Sequence, residues 1–197
     1  MDDGYLFFNV QPVETNVAND SVTLEMRIVE GPQATISEVE ILGNNRTNEH
    51  VIRRELRTYP GDLFSKTNIM RSLRELAALG YFNPETLGIN PVPNVSDGTV
   101  KLQYTVEEKS ADQLELSAGW GAGMFVGTLG VKFANFSVQR LFKKEAWRPI
   151  PSGDGQSLSI HWSTNGTKYQ SLNFSFVEPW LGGRKPTSLS LSFLYSK

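Results

Sequence analysis

Cysteine is absent from the 197 residues, and histidine occurs only at His50 and His161. The first absence excludes disulfides, thiolate catalysis and thiolate metal sites, and the second excludes a histidine-rich metal centre. No run of about 18 apolar residues occurs, so a transmembrane helix is excluded. The opening stretch MDDGYLFFNV lacks the basic region of a signal peptide. A strong charge bias is also missing: charged residues make up 20 % and the net charge is −2. Neither disorder nor a nucleic-acid partner is indicated by that balance. Hydrophobic residues make up 39 %, enough for one or two domains with a packed core.

The charge is unevenly placed. Residues 1–111 carry sixteen acids and ten bases, whereas residues 112–197 carry five acids and nine bases. The second part is also richer in serine, glycine and aromatics. A domain boundary is therefore expected near EEKSADQ, Glu107 to Gln113.

The first part repeats itself. Gly4–Gly31 and Gly80–Lys109 both open with Gly-Tyr and continue through an extended segment, an Asn/Asp turn, an alternating strand and an acidic end. Self-similarity at a fixed offset marks an array of small modules. The expected organisation is the C-terminal part of a preceding module over residues 1–31, a complete module over 32–110, and a different domain over 111–197. In the complete module, TISEVEILG alternates as a strand. Thr47 is placed to cap a helix over NEHVIRRELR, and Ser65 to cap a second over KTNIMRSLRELAAL. Gly61 breaks the first and Gly80 stops the second. Two strands follow, about Leu87–Val92 and Thr99–Glu107, giving the order β-α-α-β-β. Pro91 and Pro93 cannot donate ladder hydrogen bonds, so the first of these strands is expected at a sheet edge. Leu87, Gly88, Ile89, Asn90 and Val92 are then candidates for receiving an extended chain by strand addition. The alternative is that the prolines protect the edge from pairing.

Five segments of the second part alternate with period two. Leu114, Leu116, Ala118 and Trp120 share one face of QLELSAGW; Leu129, Val131 and Phe133 continue that face, with a phase slip near Asn135 that suggests a bulge. Leu158, Ile160 and Trp162, then Leu172, Phe174 and Phe176, then Leu189, Leu191, Phe193 and Tyr195 complete it. Glu115, Lys132 and His161 all fall on the opposite face, among serine, glycine and asparagine. A lipid-facing charge near mid-bilayer costs about 2–4 kcal/mol, whereas a lumen position tolerates it. A soluble sandwich also has polar outer faces, but normally with more charge than this one, so a membrane sheet is the expectation. Trp147 with Lys143, Lys144 and Arg148, and Trp180 with Arg184 and Lys185, sit in connectors at the same end of the sheet. Tryptophan beside Lys/Arg suits a lipid headgroup boundary; two ordinary basic loops are the alternative. Five strands do not close a barrel, which needs about eight, so a larger barrel cut short is expected. Gly119, Gly121 and Gly123 superficially match a glycine-rich phosphate loop, but no helix pattern follows. No catalytic constellation, metal site or cofactor site is expected; polar filling is the preferred reading of Glu115, Lys132 and His161.

The stretches VEILGNNRT, VIRREL, YPGDLFS and LRELAALGYF resemble the POTRA module of the outer-membrane assembly-factor family that includes BamA. SAGWG, GVKFANFS and TNGTKYQSLNFSFVEPWLGGRKP resemble the start of that family's barrel, and RPIPSGDGQ resembles an insertion of Bacteroidetes members. The resemblance implies an α+β POTRA module followed by antiparallel strands of an incomplete transmembrane β-barrel, with the modules in the periplasm and the barrel in the outer membrane. It implies unfolded outer-membrane proteins, accessory lipoproteins and the bilayer as partners, no enzymatic activity, and a first barrel strand acting as one side of a lateral gate. Carried onto this chain, that strand is Leu114, Leu116, Ala118, Gly119, Trp120 and Gly121. A related secretion or translocation pore, and a soluble β-rich binding protein, are the alternative functions.

Overall fold

The computed structural model of the chain describes residues 2–18, 20–121, 123–144, 147, 150–166 and 169–197. Arg148, one of the basic residues singled out beside Trp147, lies outside them. Ten strands and two helices follow one another as β1 (Asn9–Ala18), β2 (Ser21–Val29), β3 (Thr35–Leu42), α1 (Glu49–Arg53), α2 (Lys66–Ala78), β4 (Gly88–Asn94), β5 (Thr99–Thr105), β6 (Gln113–Gly121), β7 (Met124–Phe136), β8 (Gln156–Asn165), β9 (Gln170–Glu178) and β10 (Leu189–Ser196). They fall into two compact units.

The first unit comprises Met1–Leu42, Glu55–Ala78 and Glu85–Val106. β3, β5 and β4 form a sheet in that order, β3 parallel and β4 antiparallel to β5. The central strand β5 turns Val100, Leu102 and Tyr104 into the core and all three are fully buried. The alternating lysine, glutamine and threonine take the other face, as period two requires. α2 contributes Ile69 and Leu76 to the buried side. Its N-terminus is held twice: Asn68 N–H donates to Ser65 Oγ, and the Thr67 N–H and hydroxyl donate to the two Asp2 carboxylate oxygens at 2.7 and 2.9 Å. Orphan amides at a helix start favour such a negative partner. Tyr104 and Thr58 share a buried hydroxyl–hydroxyl bond of 2.8 Å. Among the described residues β1 and β2 pair only with each other, and Val22, Leu24, Met26 and Ile28 line one face of β2 while remaining more than half exposed.

The second unit comprises Gly43–Arg54, Leu79–Pro84 and Glu107–Lys197. Its five strands form one antiparallel meander, β10-β9-β8-β7-β6. The register slips between Phe133 and Phe136, so the expected bulge at Asn135 is present. The helix expected over NEHVIRRELR is shorter: α1 spans five residues. Asn48 is its N-cap residue, without a side-chain cap bond. Thr47 does not cap it, because its hydroxyl accepts from Asn135 Nδ2 and its N–H donates to Glu108. Competition from these distant partners outweighs the local cap.

Candidate functional site

β4 has β5 on one side, and among the described residues nothing pairs with its other side. Gly88, Ile89, Asn90 and Val92 lie on it, and Leu87 immediately precedes it. Asn90 Nδ2 donates to Gln103 on β5, and Val92 is 43 % exposed. Pro91 and Pro93 are two apart, so their missing donors belong to one side of the strand.

β6 is the other strand of interest. It pairs with β7 from Gln113 opposite Lys132 to Gly121 opposite Met124, and its far side is unpaired among the described residues. Leu114, Leu116 and Trp120 are 73–77 % exposed. Ala118 and Gly119 sit in mid-strand opposite Gly127 and Val126. A Cβ built on Gly119 or Gly121 would meet nothing within 4 Å, and neither has positive φ. Nothing in the sheet therefore demands glycine there, and each leaves β6 weaker than an alanine would.

Across the sheet the residues align in rows. Leu114, Val131, Ile160, Phe174 and Phe193 form one row, and Leu116, Leu129, Trp162, Leu172 and Tyr195 the next. The other face shows Ser159, Ser175 and Ser192 in line, and Ser163, Ser171 and Ser196. Ser163 and Ser171 share a 2.6 Å hydrogen bond. Glu115, Gly130 and His161 make a third row on this polar face. Glycine at the middle position lets the outer two meet: His161 Nε2 lies 3.6 Å from Glu115 Oε2. A Cβ on Gly130 would stand 2.5 Å from His161 Cδ2. Lys132 lies on the same face opposite Gln113 and Ser159.

The β7–β8 connector folds back through the bulge. Asn135 accepts from Gly155 N–H through Oδ1 and from Gly153 N–H through its carbonyl. Asp154, 6 % exposed, accepts from Asn48 Nδ2 at 2.6 Å and from the Ser137 hydroxyl. Arg140 donates to the Ser152 carbonyl and to Asn48 Oδ1. Gly153 has φ 129, and a Cβ there would stand 2.5 Å from the Arg46 carbonyl. Sequence reading treated this stretch as an insertion and missed the network. The available signal was an acid flanked by two glycines in SGDGQ. Of the expected boundary residues, Trp147 is half exposed and donates its indole N–H to the Leu141 carbonyl. Trp180 has the Arg54 guanidinium 5.5 Å over its ring, a cation–π contact that gives it a packing partner. Arg184 and Lys185 are exposed. Among the described residues, no group of three or more His, Asp or Glu side chains could hold a metal ion.

Residues 34–109 match the POTRA family model, described as a surface antigen variable number repeat. The chain is 30 % identical over 180 residues to the outer membrane protein assembly factor BamA of Neisseria meningitidis serogroup B, covering 90 % of this chain and 20 % of that protein. It is 33 % identical over 135 residues to the BamA of Neorickettsia risticii, covering 68 % of this chain and 17 % of that protein. The crystal structure of BamA from Haemophilus ducreyi lacking POTRA domains 1–3 superposes with a TM-score of 0.75 at 22 % identity, covering 99 % of this chain and 34 % of that one. That likeness establishes a shared fold. The chain spans a fifth or less of the length of these two curated relatives.

Proposed function

We propose that the chain works in the assembly of outer-membrane β-barrel proteins, because residues 34–109 match the POTRA family model and the chain is similar to BamA over 90 % of its length. On this reading residues 1–31 end a preceding POTRA module, residues 32–110 complete the next, and residues 111–197 begin a barrel. The POTRA part stands in the periplasm and binds unfolded outer-membrane proteins and accessory lipoproteins; the sheet stands in the outer membrane. The single observation that carries the proposal is the two-faced meander. Its leucine and phenylalanine rows stay exposed while serines line the reverse face. Hydrocarbon on one side and a wet lumen on the other suit that arrangement.

The mechanism follows from backbone chemistry. A strand entering hydrocarbon with unpaired N–H and C=O groups costs several kcal/mol per group. An unpaired edge supplies partners before entry. β6 offers such an edge as one side of a lateral gate, and Gly119 and Gly121 weaken its hold on the sheet. β4 offers a second, as a receptor for an extended segment.

The test is photocrosslinking. A photoreactive residue placed in turn at Asn90 on β4, Ser117 on β6 and Arg74 on α2 is exposed to an unfolded barrel protein. Adducts at Asn90 and Ser117 in excess of Arg74 are expected. Adducts confined to the helix position would remove strand templating from the proposal.

A further inference from the structure

The outer face of the sheet holds a cavity of about 490 Å³ at its β7–β8 connector end. Phe133, Leu158, Phe176 and Leu191 form its floor, and three of these four stand opposite one another across β7, β8 and β9. Leu191 on β10 completes the row opposite Phe176. The connector supplies the roof through Leu141, Trp147 and Ile150. Every lining residue is apolar. The cavity is an open-sided hollow, and its lining offers a water molecule none of the two to four polar partners that an ordered water needs. The cavity therefore suits hydrocarbon. Its roof segment carries Lys143 and Lys144 between Leu141 and Trp147, and both lysines are exposed. Arg140 is not available in the same way, since its guanidinium is committed to Ser152 and Asn48.

We infer that this cavity holds one acyl chain of an anionic phospholipid, with the lysine pair beside its phosphate. The cavity continues the exposed apolar rows, so the inference rests on the reading that these rows meet a bilayer. Leu141, Trp147 and Ile150 then cover the single acyl chain, while Asp154 ties Ser137 and Asn48 together near the two ends of the connector. Lysine near a membrane surface contributes roughly a fivefold preference for anionic lipid.

The experiment reconstitutes the full chain in vesicles containing phosphatidylglycerol or phosphatidylcholine spin-labelled on the acyl chain. Paramagnetic resonance then reports the motionally restricted fraction. The unaltered chain is expected to restrict phosphatidylglycerol more than phosphatidylcholine. Leu158→Trp, which fills the cavity, is expected to lose the extra fraction, whereas Leu116→Trp, on the same face outside it, keeps it. Lys143→Gln with Lys144→Gln leaves the cavity open and is expected to lose the anionic preference; these exposed changes decide the matter if Leu158→Trp does not fold. An anionic preference that survives both sets of changes overturns the lipid site while leaving the membrane reading intact. No restricted lipid with any variant, Leu116→Trp included, overturns both.

Discussion

Removing the Asp154 carboxylate would strand two partners at once, the buried Ser137 hydroxyl and the Asn48 amide. A buried group left without its partner costs about 1–3 kcal/mol. Asp154→Ala is therefore expected to lower the urea midpoint followed by tryptophan fluorescence, while Asp112→Ala, at an exposed position, leaves it near the parent value. Equal midpoints would remove the network from the account of the connector. A second prediction concerns Asp2. The Thr67 N–H, then the Thr67 hydroxyl, hold its carboxyl below the usual range. A folded pKa lowered in this way contributes stability above the unfolded value of about 4 and loses it as pH falls through the folded one. The Thr67 amide resonance should accordingly titrate below the ordinary carboxylate value, and titration at or above that value would refute the cap. Glu40 behaves in the same sense, lowered by Gln103 and then Lys101. Lys101 is raised by Glu38 and Glu40, so its contribution is complete below the ordinary lysine value and fades above it. Partner choices of this kind were poorly legible in the sequence. Thr47 reads as a helix cap by local pattern, but its partners lie 61 and 88 residues away, and nothing local announces them.

Strands were easier to read than helices because period two is unambiguous once glycine and proline bound the run. The meander follows the serine–leucine alternation residue by residue, and the bulge follows from the phase slip at Asn135. The prolines of β4 gave its edge position directly. α1 is shorter than the Thr47 and Gly61 signals imply: it stops at Arg53, and Leu56 beyond it is buried along with Val51 and Ile52. Burial can be met without helix, so a cap signal and a distant glycine did not fix its length. The sheet invites a paired test at adjacent positions. Leu191→Lys places a charge among the outer rows, and Ser190→Lys places the same charge on the serine face. The first is expected to weaken vesicle association measurably, by less than the roughly 2–4 kcal/mol of a midplane charge because Leu191 stands near the connector end of the sheet, and the second to leave it close to unchanged. Equal losses would argue against hydrocarbon on that face.

At the scale of the chain, acidity and basicity are segregated: net −6 over residues 1–111 and +4 over 112–197. A basic segment close to a membrane responds to anionic lipid over roughly one Debye length, about 8 Å at physiological salt. The chain is expected to bind anionic vesicles more tightly than zwitterionic ones, with the difference shrinking as salt rises, as flotation at two ionic strengths would show. Equal affinity for the two kinds of vesicle at both ionic strengths would mean that apolar burial alone sets the binding. The two units also differ in packing: the first is built around the fully buried side chains of β5, whereas the sheet of the second leaves most of its leucine and phenylalanine rows exposed.

The serine rows carry one more consequence. A hydroxyl gives or takes a hydrogen bond with equal ease, so a surface tiled with hydroxyls has no fixed polarity and no favoured alignment. Along the serine rows one weak contact can be traded for an equivalent neighbour at each step, whereas beside Glu115, Lys132 and His161 charge fixes the polarity.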